Sequence, residues 1–502
     1  MKGREWQAAL SLFGHMPVIR VATDVISFNA TISAYDKEGQ WRSALRLFSD
    51  MQRTSSAADV ISFNATMSAC ARPGLWQLAH HLLSEMPRVR LAATVVSFST
   101  VVSACESSGQ WQMTLDLISD MQTAAILCNV ITLNSAISTC EKAGQWQVAL
   151  DLLHSSSLKI SANVITFNAA MSACQKGGQW QLVLELLTAM SRGGLSADVI
   201  TFSAAISACE PYGLWEQVLR LHAEMARSQV VPNRITYSAS ISACRAGNWQ
   251  LALGFFATMQ ARGLEADVIS FNAAISACEE AAQWQLAHHL LSEMQTARVA
   301  VNVRSFNTTI SACEKAGNWE LALELLSEMR DFRDLRVTAD EISFNATITA
   351  VAKHGPWALA LQLFSSMPSA RLVPDIISFN ATISACEKNG FWQLALMILS
   401  GLATAELQPT VTSYGSAISA CEKSSDWQAA LEILRTIFHH RLANGITCNS
   451  ALSALARGSQ WLRAGALLSK MRDRAIPADA VSYSAGISAC EQGDVSAQPA
   501  FG

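Results

Sequence analysis

Apolar residues recur along this chain in two alternating registers. In the segment that begins at Val303, Phe306, Ile310 and Cys313 stand four and three residues apart, and Trp319, Ala322, Leu323, Leu326 and Met329 follow. Each set falls on one stripe of a helix with 3.6 residues per turn. Gly317 lies between the two sets, where a helix stops. The spacing therefore predicts two antiparallel helices joined by a tight turn.

The same pattern returns from one end of the chain to the other. All 14 tryptophans mark one place in it: Trp6, Trp41, Trp76, Trp111, Trp146, Trp180, Trp215, Trp249, Trp284, Trp319, Trp357, Trp392, Trp427 and Trp461. Their spacing is 35 residues, with slips to 34 and one of 38. A fixed period of this size is the mark of a solenoid. One helix pair cannot bury its apolar face alone, so the stacked array is the folding unit. The expected fold is all-α, an α-solenoid superhelix of stacked helix-turn-helix repeats of about 35 residues.

Thirteen complete repeats are expected over residues 25–479, starting at Val25, Val60, Val95, Val130, Val164, Val199, Arg234, Val268, Val303, Glu341, Ile376, Val411 and Gly445. Residues 1–24 supply a second helix without its first, which reads as a truncated start. Residues 480–492 supply a first helix only, and 493–502 read as a disordered tail. The 38-residue unit carries its extra residues around Arg330–Arg336, the place for a longer exposed loop. The tryptophan heads the apolar stripe of each second helix and is expected to be buried between helices.

Counted from the start of each unit, positions 2, 5, 9 and 12 share one stripe of the first helix. Position 5 is turned about 100° from the apolar position 4. Position 2 is usually Ile or Val, position 9 is Ser or Thr in every unit, and position 5 is Asn or Ser in all but one. Such a stripe is either a ladder of hydrogen-bonding groups for a bound polymer or a set of residues that cap and solvate the helix. Spacing leaves both open.

Composition narrows the class. The chain is 50% hydrophobic and 15% charged, with a formal charge of −4. That balance argues against bulk electrostatic attraction to a polyanion. The distribution matters more: position 13 is basic in Lys37, Arg72, Lys142, Lys176, Lys315, Lys353, Lys388, Lys423 and Arg457. One cation per repeat on a consistent edge suits phosphate contact, or simply complements the helix C-terminus. The adjacent acids, such as Glu314 and Glu387, partly offset that field. Eleven of the 13 cysteines, among them Cys70, Cys105, Cys313 and Cys386, hold the core-facing position 11 without any Cys-x-x-Cys pair. This argues against zinc and disulfide frameworks and for a reducing compartment. The His80/His81 and His288/His289 pairs belong to near-identical copies of one helix and read as surface and packing residues. No apolar run reaches the length of about 18 residues that spans a membrane. No nucleophile–base set, phosphate-binding glycine loop, metal cluster or cofactor motif stands out, so the expectation is a binder, not an enzyme.

The VISFNATISAC-type first helix, the W-x-x-A-L-x-L-L-x-x-M second helix and the closing Pro-Asp, Ala-Asp or Val-Asn resemble the pentatricopeptide repeat family, P class, over nearly the whole chain. In tetratricopeptide repeats the Trp stands early in the first helix; here it opens the second. The resemblance implies that position 5 and the last position of each repeat together read one RNA base, and that position 2 residues sandwich the bases. The implied sandwiching residues are Ile26, Ile61, Val96, Ile131, Ile165, Ile200, Ile235, Ile269, Ile342, Ile377 and Ile446. Arg304 and Thr412 depart from that pattern.

The implied base readers, in order, are as follows. Asn29/Asp59 implies uracil and Asn64/Thr94 lies outside the common code. Ser99/Asn129 implies adenine, Asn134/Asn163 a pyrimidine with cytosine favoured, Asn168/Asp198 uracil, and Ser203/Asn233 adenine. Ser238/Asp267 implies guanine and Asn272/Asn302 a pyrimidine. Asn307/Asp340 and Asn345/Asp375 imply uracil, Asn380/Thr410 and Gly415/Asn444 are poorly defined, and Asn449/Asp479 implies uracil. The expected partner is single-stranded, uridine-rich RNA with A and G at defined positions, in organellar RNA processing, stability, splicing or translation. RNA-processing proteins are further expected partners, and the expected location is the chloroplast or mitochondrion. The rival readings are a protein-binding scaffold like the tetratricopeptide arrays, or an adaptor that recruits a separate nuclease or editing enzyme.

Overall fold

A computed structural model describes residues 24–53, 58–155, 162–245, 247–331, 338–440, 442–474 and 476–496. Among them are 27 α-helices and no strands. Each repeat is a pair, such as Val303–Ala316 and Trp319–Asp331. Gly317 between them has φ +81°, the left-handed conformation that ends a helix without a Cβ penalty. The all-α solenoid expected from the period is what forms.

The chain divides into two compact units, Met1–Ala243 and Cys244–Gly502. Inside each unit, a first helix packs on the first helices of the flanking repeats, and a second helix packs on its own first helix and on the next one. The result is two helical layers around a continuous core. Phe306, Ile310, Ala312 and Cys313 are buried from the first helix, and Ala322, Leu325, Leu326 and Met329 from the second. Leu323 is only partly buried against the neighbouring core. Second helices meet the next first helix through edge-on aromatic pairs: Phe48–Phe63, Phe256–Phe271 and Phe364–Phe379, with centroids 4.9, 5.0 and 4.9 Å apart.

Two expectations change. The tryptophans among the described residues are half-buried rather than core residues, and Trp461 is 49% exposed. The indole lies over the turn between the helices of the following repeat. A Cβ placed on Gly355 would stand 3.0 Å from Trp319, and Gly177 and Gly458 face Trp146 and Trp427 in the same way. In these repeats the tryptophan thus seals the joint to the next repeat while staying partly exposed. At the C-terminal end, the helix that opens the partial repeat runs from Ala480 to Ser496, past the expected stop at residue 492. The expected second helix in 1–24 lies outside the described residues except for Asp24, as do residues 332–337 of the expected loop.

Candidate nucleic-acid interface

The first helices bury position 4 and expose position 2. Ile26, Ile61, Val96, Ile131, Ile165, Ile200, Ile235, Ile269, Ile342, Ile377 and Ile446 are between 56% and 76% exposed. Within each unit, large aliphatic side chains left in water at one fixed place per repeat form a row suited to stacking against flat apolar surfaces.

Beside those whose repeat has Asn at position 5 stands a three-residue polar cluster, one member of which is not evident from local sequence. The last residue of a repeat is also the N-cap of the next first helix. Asp59 Oδ1 accepts from the Ser62 N–H at 2.8 Å, and Asp198 Oδ1 from the Thr201 N–H at 2.9 Å. Asn129, Asn163, Asn233, Asp267, Asn302, Asp340, Asp375, Thr410, Asn444 and Asp479 cap in the same way, and Thr94 does so with a longer bond. So the capping role falls to the closing position, while position 5 is left to other partners. This satisfies a helix-terminal donor that would otherwise be orphaned.

The third member is the hydroxyl at position 3 of the following repeat. The Ser62 Oγ lies 2.6 Å from Asn29 Oδ1 and 2.8 Å from Asp59 Oδ1, while Asn29 Nδ2 donates to Asp59 at 3.1 Å. Asn168, Thr201 and Asp198 repeat this arrangement at 2.7, 2.8 and 3.2 Å. Asn307/Ser343/Asp340, Asn345/Ser378/Asp375 and Asn449/Ser482/Asp479 do so as well. All five Asn/Asp pairs therefore bond directly. In Asn64/Thr94, Asn134/Asn163 and Asn272/Asn302 the link is the hydroxyl of Ser97, Thr166 or Ser305, 2.6–2.7 Å from the position 5 amide. Asn380 uses Ser413 and also reaches Thr410 and Thr412. The signal was present in the sequence: position 3 is Ser or Thr in every unit, from Ser27 to Ser482.

Serines at position 5 behave differently. Ser99 Oγ bonds back to the Val96 carbonyl at 3.0 Å, and Ser238 Oγ to the Arg234 carbonyl at 3.0 Å. Ser203 shares a 2.8 Å bond with Thr236, which in turn bonds Asn233 at 2.9 Å. Ser203 and Asn345 are buried; the other position 5 asparagines and serines are partly exposed. Ser238 and Asp267 fall in different units.

The clusters hold their carboxylates ionised. At Asp59, Asp198, Asp340 and Asp375 burial opposes the charge. The backbone N–H and hydroxyl at position 3 and the position 5 amide outweigh it, so the carboxyls titrate below the ordinary value. The position 11 thiols go the other way: burial pushes Cys70 and Cys140 up to about 11 and Cys313 to about 12, which leaves them protonated and inert.

The basic edge is mostly neutralised, and by the preceding repeat rather than by the adjacent acid. Lys142 meets Glu106 at 3.4 Å, Lys176 Glu141 at 3.0 Å, Lys353 Glu314 at 3.0 Å, Lys423 Glu387 at 3.8 Å and Arg457 Glu422 at 3.6 Å. Arg72 pairs with Asp36 at 3.7 Å, and Lys315 with Glu279 and Glu280 at 3.3 and 3.6 Å. Among the described residues Lys37 and Lys388 have no carboxylate partner. For Lys388 the reason is that Ala352 stands where the preceding repeat would place the acid.

Among the described residues, no helix is long and apolar enough to cross a membrane. None of the curated proteins compared with the chain matches it. Among solved structures, the chain resembles the pentatricopeptide repeat protein PPR10 from maize, with 19% identity over 96% of this chain and 79% of that one and a TM-score of 0.58. The structure of PPR10 in complex with an 18-nt psaJ RNA element matches at 20% identity over 97% and 80%, with a TM-score of 0.54. These likenesses show the fold. Family models match by sequence: a PPR repeat family model at 23–72, a pentatricopeptide repeat domain model at 185–247, 220–281, 254–316 and 330–389, and a PPR repeat model at 96–125, 165–195, 304–333 and 377–402. With its period, its paired helices and these matches in agreement, the chain belongs to the pentatricopeptide repeat family.

Proposed function

We propose that this protein binds single-stranded RNA in a sequence-dependent way, one base per repeat, without catalysis of its own. The observation that carries the reading is an exposed aliphatic side chain beside a position 5 amide fixed by the end of its repeat, as a direct amide–carboxylate pair at Ile26, Ile165, Ile342 and Ile446 and through the hydroxyl of the next repeat at Ile61, Ile131, Ile269 and Ile377. The aliphatic row offers surfaces for base planes. In the Asn/Asp repeats the Asn oxygen and one amide hydrogen are committed internally, so the remaining amide hydrogen and the free carboxylate lone pairs are held ready for a base edge. Base pairing hides such edges, so the partner is single-stranded. PPR10, whose fold this chain shares, has been solved with an RNA element bound.

The paired cations change the balance of forces. With most position 13 charges neutralised within the array, affinity rests on base contacts more than on phosphate contacts, and its salt dependence is shallow. Lys37 and Lys388 are the strongest phosphate candidates. The inferred target is uridine-rich, with adenine and guanine at the serine repeats, and the inferred setting is RNA processing in a chloroplast or mitochondrion. Selection of bound RNA from a random pool tests the reading. Enrichment of uridine at the positions assigned to the five Asn/Asp repeats is expected; a pool that gains no sequence bias would overturn it.

A further inference from the structure

Near the C-terminal end, the second helices Trp427–His439 and Trp461–Asp473 enclose a groove of about 490 Å³. Trp427, Leu431 and Phe438 supply apolar surface, and Arg435, Arg463 and Lys470 line it with charge. The Arg463 guanidinium lies 3.9 Å from the Trp427 ring centroid, and the Lys470 ammonium 4.4 Å from that of Phe438. Beyond Phe438 an adjoining hollow of about 340 Å³ is lined by Arg474, whose Nη1 donates to the Phe438 carbonyl at 3.0 Å.

Two features set this groove apart. First, its cations lack carboxylate partners: among the described residues Arg435, Arg463, Lys470 and Arg474 make no ion pair, unlike most position 13 cations. Glu432 lines the groove but lies outside ion-pair distance of them. Second, the repeats serve as comparators for one another. Two residues after the Trp, Arg occurs only at Arg463, where most units hold Leu, Met or Val. Eight residues after it, Arg occurs only at Arg435, against Ser in eight units. Nine after it, Lys470 replaces the Asp or Glu of six other units, and eleven after it Phe occurs only at Phe438. Four separate departures from the repeat converge on one cavity. Packing does not require them, because the other repeats pack without them.

We propose that this groove docks an acidic segment of a partner protein, with carboxylates on Arg435, Arg463 and Lys470 and an apolar side chain between them. A guanidinium stacked on an indole keeps its N–H edges free for a carboxylate, and the stacking fixes its orientation. A peptide is favoured over RNA because the groove belongs to the second helices, whereas the exposed aliphatic row and the polar clusters belong to the first helices. This site does not depend on the RNA reading.

The test uses three labelled probes in fluorescence anisotropy with the full chain: a peptide alternating Glu with Leu and Phe, the same peptide with Gln for Glu, and an oligouridylate. The variant combines Arg435→Ser, Arg463→Leu and Lys470→Glu, residues that other repeats carry at these places, so folding is preserved. The wild type is expected to bind the acidic peptide in preference to the Gln peptide. The triple variant should bind it about tenfold more weakly, as expected for the loss of three partly exposed ion pairs, with oligouridylate affinity unchanged. Equal binding of the two peptides, or an unchanged affinity in the variant, would overturn the proposal. A loss of oligouridylate affinity in the variant would overturn it in favour of RNA as the occupant.

Discussion

The hydroxyl at position 3 provides the sharpest test of the polar cluster. In Thr201→Val the shape of the side chain is kept and the hydroxyl is removed. Thr201 is fully buried, lies 2.7 Å from Asn168 and 2.8 Å from Asp198, and accepts the Asp198 N–H at 3.2 Å. The hydroxyl has one proton, so one donated bond and one accepted bond are lost, while the cap from Asp198 to the Thr201 N–H remains. A donated bond to a charged group and a weak accepted one sum to about 2 kcal/mol. The loss should be local, because coupling in such arrays is between nearest neighbours. Asn168 then keeps only its 3.2 Å bond to Asp198 and can rotate. Discrimination at the fifth base should fall by about 1 kcal/mol, roughly fivefold, although neither proposed base-reading residue has changed. Affinities for four RNAs that differ only at that base, measured beside denaturant unfolding, check both halves. Unchanged discrimination in a destabilised variant would show that the hydroxyl serves the fold alone.

Other outcomes follow from the same geometry. Asn168→Ser keeps Asp198 and gives the Ser/Asp pair of Ser238/Asp267, so the preferred base should move from uracil to guanine with a swing of about 1–3 kcal/mol; an unchanged ranking of the four RNAs refutes the pairwise readout. Trp319→Ala should cost about 1.5–2.5 kcal/mol in thermal or denaturant unfolding, less than a fully buried aromatic because the indole is half-exposed, and a curve identical to wild type would refute its role as a seal. Acid should loosen the array unevenly. The depressed carboxyls of Asp59, Asp198, Asp340 and Asp375 add stability that is complete above their unfolded value and is lost as pH falls through the lower folded one. As pH falls below the ordinary carboxylate range the amides of Ser62, Thr201, Ser343 and Ser378 should lose hydrogen-exchange protection before those of Thr166 and Ser305, whose Asn163 and Asn302 caps do not titrate; simultaneous loss would refute this.

Much of this was legible in one dimension because it is periodic. Phe306, Ile310 and Cys313 announce a buried stripe by spacing alone, and Ile165 and Asn168 declare themselves by standing off it. What stayed hidden crosses from one repeat to the next. The partner of Lys353 is Glu314, 39 residues back, not the adjacent residue, and a helical pattern read locally has no means of finding it. The role of Thr201 is not local: a hydroxyl in a first turn is ordinary helix-start chemistry, and its bond to Asn168 needs the stacking of two repeats. Trp319 differs from its pattern, because a large aromatic at the head of an apolar stripe signals full burial. The stripe is set by angle around the helix, while the exposure of its first member is set by how far the next repeat overhangs it.

That the closing residue of each repeat also starts the next helix has a consequence for redesign. Only Asp, Asn and Thr close the repeats described here, and these are residues that hold a helix N-terminus. Any letter introduced at this place must be a capping residue, Asp, Asn, Thr or Ser, or forfeit about 1 kcal/mol per repeat. Exchanging Asp for Asn keeps an acceptor for the capping bond and gives up only what the ionised carboxylate adds, so retargeting the array by such swaps should lower its melting temperature modestly. Exchanging either for an aliphatic residue would erode the scaffold and the message together. The vocabulary of the array is thus bounded by the grammar of helix initiation, whatever the polymer it reads.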